Sequence, residues 1–144
     1  MKIEKKYQIL TSSRQDMLTV DENMKQFNNA NVPFTQRERF IDFNFHIRNE
    51  NQEIIAGINT TMYLWHCLFI DSLWVREDHR KHGLGTLLMQ KVEQEAKNQG
   101  GYLAHVDTFD FQARGFYEKN GYILFATLEN CPKNHERYYL KKNL

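Results

Sequence analysis

The chain has 144 residues, 41% hydrophobic and 26% charged, with a formal net charge of +1, which predicts one soluble globular domain over 1–144 with its own core. No Lys/Arg run suggests a nucleic-acid stripe, which needs many more cations on one face, and no apolar run approaches the ~20 residues that span a bilayer. The start, Met1-Lys2-Ile3-Glu4-Lys5-Lys6, lacks the apolar stretch of a signal peptide, and Cys67 and Cys131 are too sparse for a disulfide framework, so the expected setting is cytoplasmic, with reduced thiols and a small-molecule partner.

Residues 5–10 are expected as a first strand. Ser12 or Ser13 then caps a helix whose apolar positions Met17, Val20, Met24 and Phe27 recur at helical spacing. It fails within 28–33, where Asn and Pro favour a loop. Residues 41–48 alternate strictly, Ile41, Phe43, Phe45 and Ile47 against Asp42, Asn44, His46 and Arg48, as one half-buried antiparallel strand. A polar turn leads to a strand over 53–63, and 68–75, apolar on both faces, is expected at the centre of the sheet. Leu84, Leu87, Leu88, Val92 and Ala96 form the stripe of a helix closed by Gly100-Gly101. A strand over 102–106, a short helix over 111–120, and strands over 122–128 and 137–140 complete a mixed α/β chain with a central β-α-β-α-β unit.

The most informative segment is the strand-turn-helix Leu73-Trp74-Val75-Arg76-Glu77-Asp78-His79-Arg80-Lys81-His82-Gly83-Leu84-Gly85-Thr86. Unpaired amides at a helix start carry about half a positive charge and bind phosphate. Glycine lets oxygens approach the main chain, and Arg80, Lys81 and His82 add charge at the mouth. A Walker loop fails because no Lys follows Gly85, and a dinucleotide fingerprint fails because Leu88 stands where its third glycine belongs.

Arg80-x-x-Gly83-x-Gly85 resembles the Q/R-x-x-G-x-G/A signature of the GNAT acyl-CoA N-acyltransferase superfamily. A second stretch, from Asp107 to Tyr122, is similar to that family's closing helix, N-x-x-A-x-x-F-Y-E-K-x-G-F/Y, through Ala113, Phe116, Tyr117, Glu118, Lys119, Gly121 and Tyr122. Asp107-Thr108-Phe109, Phe111-Gln112-Ala113, the P-x-x-H segment Pro132–His135 and the aromatic, lysine-rich end resemble a small bacterial subgroup. The resemblance covers roughly 53–142. It departs at Asp110, where many relatives carry Asn; an Asp there is expected to cap a helix.

The resemblance implies a mixed, mostly antiparallel sheet of six or seven strands flanked by about four helices, opened at a parallel pair to admit acetyl-CoA. It implies that the loop from Arg80 to Thr86 grips the diphosphate, with Lys81, His82, Gly83, Leu84 and Gly85 between. The strand ending in Leu73-Trp74-Val75 is splayed at a bulge and holds pantetheine and the thioester oxygen. Gln112, Phe116 and Lys119 flank the coenzyme, and Tyr117 is the acid toward its sulfur, the alternative for Tyr117 being a core tyrosine. It also implies a homodimer as one arrangement of the chain.

The reaction needs a neutral amine, a base or water relay, and donors for an oxyanion. Asp71, two residues from Leu73 and so expected on its face, is the candidate base or amine anchor, since a carboxylate amid Leu68, Phe69 and Ile70 is costly without a task. A satisfied structural role is its alternative, and His135 and His66 are the other candidates. His79 and His82 lack a ligand pattern, so no metal is expected. Cys67 has no base paired with it and is expected as a buried thiol, which favours direct transfer of acetyl to a small-molecule amine.

Overall fold

Ser13 opens the first helix with a reciprocal cap: its Oγ accepts the Asp16 amide at 3.1 Å, and the Asp16 carboxylate accepts the Ser13 amide at 2.9 Å. Two donors that a helix start leaves over are thereby satisfied. Helix α1 (Arg14–Asn31) carries Met17, Val20, Met24 and Phe27 at the expected spacing and is capped by Val32 ahead of Pro33. The computed structural model describes residues 6–144, divided into two units between Phe34 and Thr35. α1 lies in the first unit and every element below in the second. The strand expected over 5–10 is absent from residues 6–10, where Ile9 and Leu10 are 87% and 76% exposed; residue 5 lies outside the described residues.

The alternation over 41–48 sets the faces as expected, with Phe43 buried and Ile41, Phe45 and Ile47 packed against the core. The expected single strand is broken, however, into β1 (Phe40–Asp42) and β2 (Phe45–Arg48), both antiparallel to β3 (Ile54–Tyr63). Asn44 explains the break, because its side-chain carbonyl takes the Thr60 amide at 3.0 Å where a strand would offer its backbone. β4 (Cys67–Val75) is central, antiparallel to β3 and parallel to β5 (Leu103–Phe109). β7 (Glu136–Asn143) and β6 (Ile123–Glu129) extend the sheet in the order β1-β3-β4-β5-β7-β6 with β2 also on β3. β5 and β7 both outrun the expected 102–106 and 137–140 because they pair along their length, from Leu103–Asn143 to Phe109–Arg137.

The seven-stranded sheet is mixed and mostly antiparallel, an α+β arrangement. Among the described residues there are three α-helices, α1, α2 (Leu84–Asn98) and α3 (Arg114–Lys119), plus a 3-10 turn at Glu77–His79, one α-helix fewer than expected. None is long and apolar enough to cross a membrane. α2 buries Leu88, Met89, Val92 and Ala96 against Ile58, Met62, Leu68, Ile70 and Leu140, each large aliphatic being worth about 1.5–3 kcal/mol. Centring the stripe on these residues turns Leu87 outward, 57% exposed, which corrects its expected place in the core. It also draws in Glu93, expected outside but only 5% exposed, which pairs with Lys142 of β7 at 2.9 Å.

Candidate active site

Ile70 is fully enclosed and pairs with Thr60 of β3 on one side and Val106 of β5 on the other. Beyond it both ladders change. On the β3 side Asn59 pairs with Ser72 and Thr60 with Ile70, so Asp71 is an extra residue, a bulge. On the β5 side parallel pairing ends at Ile70–Val106, while β5 continues to Phe109 against β7. The central parallel strands part at this point.

The bulge shifts the alternation by one. Leu73 and Val75 pack against the core, whereas Asp71, Ser72 and Trp74 are exposed. Asp71 therefore does not share a face with Leu73, and it is not a buried carboxylate; both expectations assumed an unbroken period of two.

β4 leads into a tightly bonded turn. Arg76 forks onto Asp78 at 2.7 and 3.0 Å and reaches Glu53 at 3.0 Å. Hydrogen bonds from Arg76 and then His79 hold the Asp78 carboxyl down at about 2. Arg80 Nε donates to the Val75 carbonyl at 3.0 Å, tying the turn to the strand end. Lys81 and Gly83 adopt left-handed φ of 64° and 79°, and the Leu87 amide bonds the Gly83 carbonyl at 3.0 Å. The amides of Leu84, Gly85 and Thr86 come before that bond and have no acceptor within the helix. Lys81 and His82 stand exposed beside them. The two glycines differ in purpose. A Cβ on Gly83 would meet nothing within 4 Å, so that residue serves its φ, whereas a Cβ on Gly85 would meet the Phe116 ring at 3.1 Å.

α3 supplies the other wall. Tyr117 is 6% exposed, with ring centroids of Phe116 and Tyr122 at 5.2 and 6.0 Å. Burial, and then the charge of Asp107, push its phenol up to about 12, so it stays protonated. Gln112 fastens the β5–α3 connection, its Oε1 accepting from Thr108 Oγ1 at 3.0 Å and the Phe109 amide at 2.9 Å. Lys119 is exposed in the last turn of α3.

Asp110 does not cap α3, whose N-cap is Ala113 without a side-chain bond. Instead it accepts from His135 Nδ1 at 2.8 Å and the Glu136 amide at 3.1 Å, securing the β6–β7 loop. Desolvation works to raise its pKa, but those bonds outweigh it and the net direction is down. His66 lies in the β3–β4 turn, 2.6 Å from Thr35 Oγ1, five residues and roughly 16 Å of strand from the bulge. Cys67, beside it, is buried with its sulfur 3.4 Å from the Tyr102 hydroxyl.

Two pairings escaped the sequence. Arg137 holds Asp107 at 2.6 and 2.9 Å and stands over the Phe109 and Tyr139 rings. Tyr63 and His105 are joined at 2.8 Å between Oη and Nε2. The signal was the alternation on β5, where Ala104, Val106 and Thr108 are buried and His105 and Asp107 fall on the other face.

A family model described as the acetyltransferase (GNAT) family matches residues 10–122, a span that includes the strand-turn-helix and α3. The chain belongs to the acetyltransferase (GNAT) family. The blasticidin-S acetyltransferase of Streptomyces morookaense is 38% identical to this GNAT chain over 81 residues, 56% of the chain and 60% of that protein, so the match spans less than two thirds of the relative. The crystal structure of an acetyltransferase from Bacillus cereus ATCC 14579 is 31% identical with a TM-score of 0.86, covering 96% of the chain and 98% of that structure. An aminoglycoside 6'-N-acetyltransferase solved with coenzyme A shares the fold, with a TM-score of 0.63 at 15% identity over 94% and 97% of the two chains.

The arrangement fits an acyl-CoA: amides with no acceptor among the described residues for a diphosphate, open space at Gly83, and a parted strand pair for an extended arm. Gly83→Ala in this GNAT chain is expected to lose about 1–2 kcal/mol in urea unfolding, from φ alone. An unchanged midpoint would remove that account of the glycine.

Proposed function

We propose that the chain transfers the acetyl group of acetyl-CoA to a primary amine of a small molecule by direct attack, with both substrates bound. The observation that carries this is the parting of β4 from β5 after Ile70, on the strand that leads through the Arg80 turn to the unpaired amides of α2. Acetyl-CoA supplies an acyl group already activated as a thioester. The amides from Gly83 to Thr86, with Arg80, Lys81 and His82, would hold its diphosphate. The main chain of Leu73, Trp74 and Val75 would hold the arm and polarise the acyl oxygen, with Gln112, Phe116 and Lys119 alongside.

Tyr117 would serve the sulfur. A phenol near 12 lies roughly 3.5 units above an ordinary thiol, about 5 kcal/mol against outright transfer in water. Its task is therefore to donate a hydrogen bond to the departing thiolate, with transfer following as the sulfur loses water and its own pKa climbs. Asp71, exposed at the bulge, would anchor the incoming ammonium.

The place of Cys67, buried four residues before the bulge with its sulfur on the Tyr102 hydroxyl, supports direct transfer over an acyl-enzyme. The free thiols Cys67 and Cys131 support a reducing, cytoplasmic setting. A relative named for acetylating blasticidin-S supports a small-molecule acceptor.

Acetyl-CoA at 100 times its Kd should stabilise the protein by about 2.7 kcal/mol, read as a rise in Tm, and an amine panel should then release free thiol. A Tm that acetyl-CoA does not move would remove the reading.

A further inference from the structure

The mechanism above lacks a group to take the acceptor's proton. At pH 7 only about one alkylammonium in a thousand is neutral, its pKa being near ~10.4. We propose that His105, held by its hydrogen bond to Tyr63, takes that proton from the acceptor's ammonium. The inference rests on the N-acetyltransferase reading.

His105 pairs with Phe69 on the rung before Ile70–Val106, the last before β4 and β5 part. It alternates with the buried Ala104 and Val106 and therefore lies on the face opposite the core, half-buried at the edge of the opening. Its orientation is fixed. Nε2 meets Tyr63 Oη at 2.8 Å, the Tyr63 ring stands edge-on at 5.7 Å, and the Phe69 ring packs at 5.2 Å. Nδ1 makes none of the hydrogen bonds found among the described residues. In the tautomer this role requires, Nε2–H donates to Tyr63 Oη and Nδ1 presents a lone pair.

The titratable groups facing it are Tyr63 on β3, Cys67 on β4 with Tyr102 beside it, Asp107 on β5, and Lys141, its register partner on β7. Burial lowers its pKa, while Asp107 opposes the shift. Asp107 is itself engaged by Arg137. The imidazole is thus neutral at pH 7, the form that accepts a proton.

The balance is complete. One ammonium proton moves to Nδ1, and the imidazolium keeps its Nε2–H on Tyr63. The freed lone pair forms the N–C bond, and the C–S bond breaks with its electrons on sulfur. A second amine proton ends on sulfur through Tyr117, and His105 returns its proton to solvent. One proton is released per ammonium acetylated.

The test is a pH profile of kcat/KM with an amine found active in the thiol-release panel. His105→Gln should lower kcat/KM at pH 7 by about 10²-fold or more, with the Kd for acetyl-CoA unchanged. The rate should recover as pH nears the amine's own pKa, where the amine arrives neutral. Tyr63→Phe should retain turnover but move the acidic limb. Proton-nitrogen NMR of the wild-type imidazole gives a readout that needs no variant: His105 should titrate with that limb. A wild-type rate and unmoved limb in His105→Gln, or a His105 that titrates elsewhere, would overturn the assignment. Acetyl-CoA binding without thiol release from any amine would overturn the transferase reading and this inference together.

Discussion

Lys142→Met is expected to destabilise the protein by about 3–5 kcal/mol, because it strands a carboxylate inside. Glu93 is 5% exposed, and Lys142 Nζ reaches both its oxygens at 3.0 and 2.9 Å and the Asn120 carbonyl at 2.9 Å. The ammonium also stands 5.6 Å from the Tyr122 ring centroid. Replacing both partners, Glu93→Leu with Lys142→Met, should recover most of the loss, since an apolar pair of similar volume often matches a buried ion pair. Urea unfolding of the two single variants and the double closes the cycle. A loss below 1 kcal/mol for Lys142→Met would show that Glu93 does not depend on this cation.

Tyr117→Phe is expected to lower kcat by about 10²–10³-fold while leaving acetyl-CoA affinity and Tm nearly intact. One well-placed donor to developing charge is worth that much, and the ring, which makes the contacts with Phe116 and Tyr122, is retained. The direction of the pKa shift sharpens the test. A phenol raised to about 12 keeps its proton throughout pH 7–10, so Tyr117 contributes no alkaline fall in that window. An alkaline limb below pH 10 that vanishes in Tyr117→Phe would contradict the burial argument, and unchanged turnover would remove the residue's role.

What the sequence made legible was local. The cap at Ser13, the alternation over 41–48, Gly83 with Gly85, and the α3 motif each involve neighbours within a turn or two, where spacing and side-chain chemistry speak directly. What it hid was decided by partners far along the chain. Glu93 looks like a solvated charge until Lys142, 49 residues on, closes over it. Asp110 looks like a cap until His135, 25 residues on, claims it. His105 lies 42 residues from Tyr63. The bulge at Asp71 belongs to the same group: its two-for-one pairing is set by β3, so a period-two reading of β4 alone assigns Asp71 and Leu73 to one face.

The parted strands have one more consequence. Past Ile70 the side of β4 turned to β5 presents peptide groups with no ladder partner among the described residues, and peptide groups are the same at every position except proline. Whatever lodges there meets an unlettered surface, indifferent to whether position 72 is serine or position 74 tryptophan. Positions 72 and 74 are free to drift in composition so long as Leu73 and Val75 fill their places beneath them. Selection on it acts through the path of the chain, and only a residue without an N–H erases the contact outright.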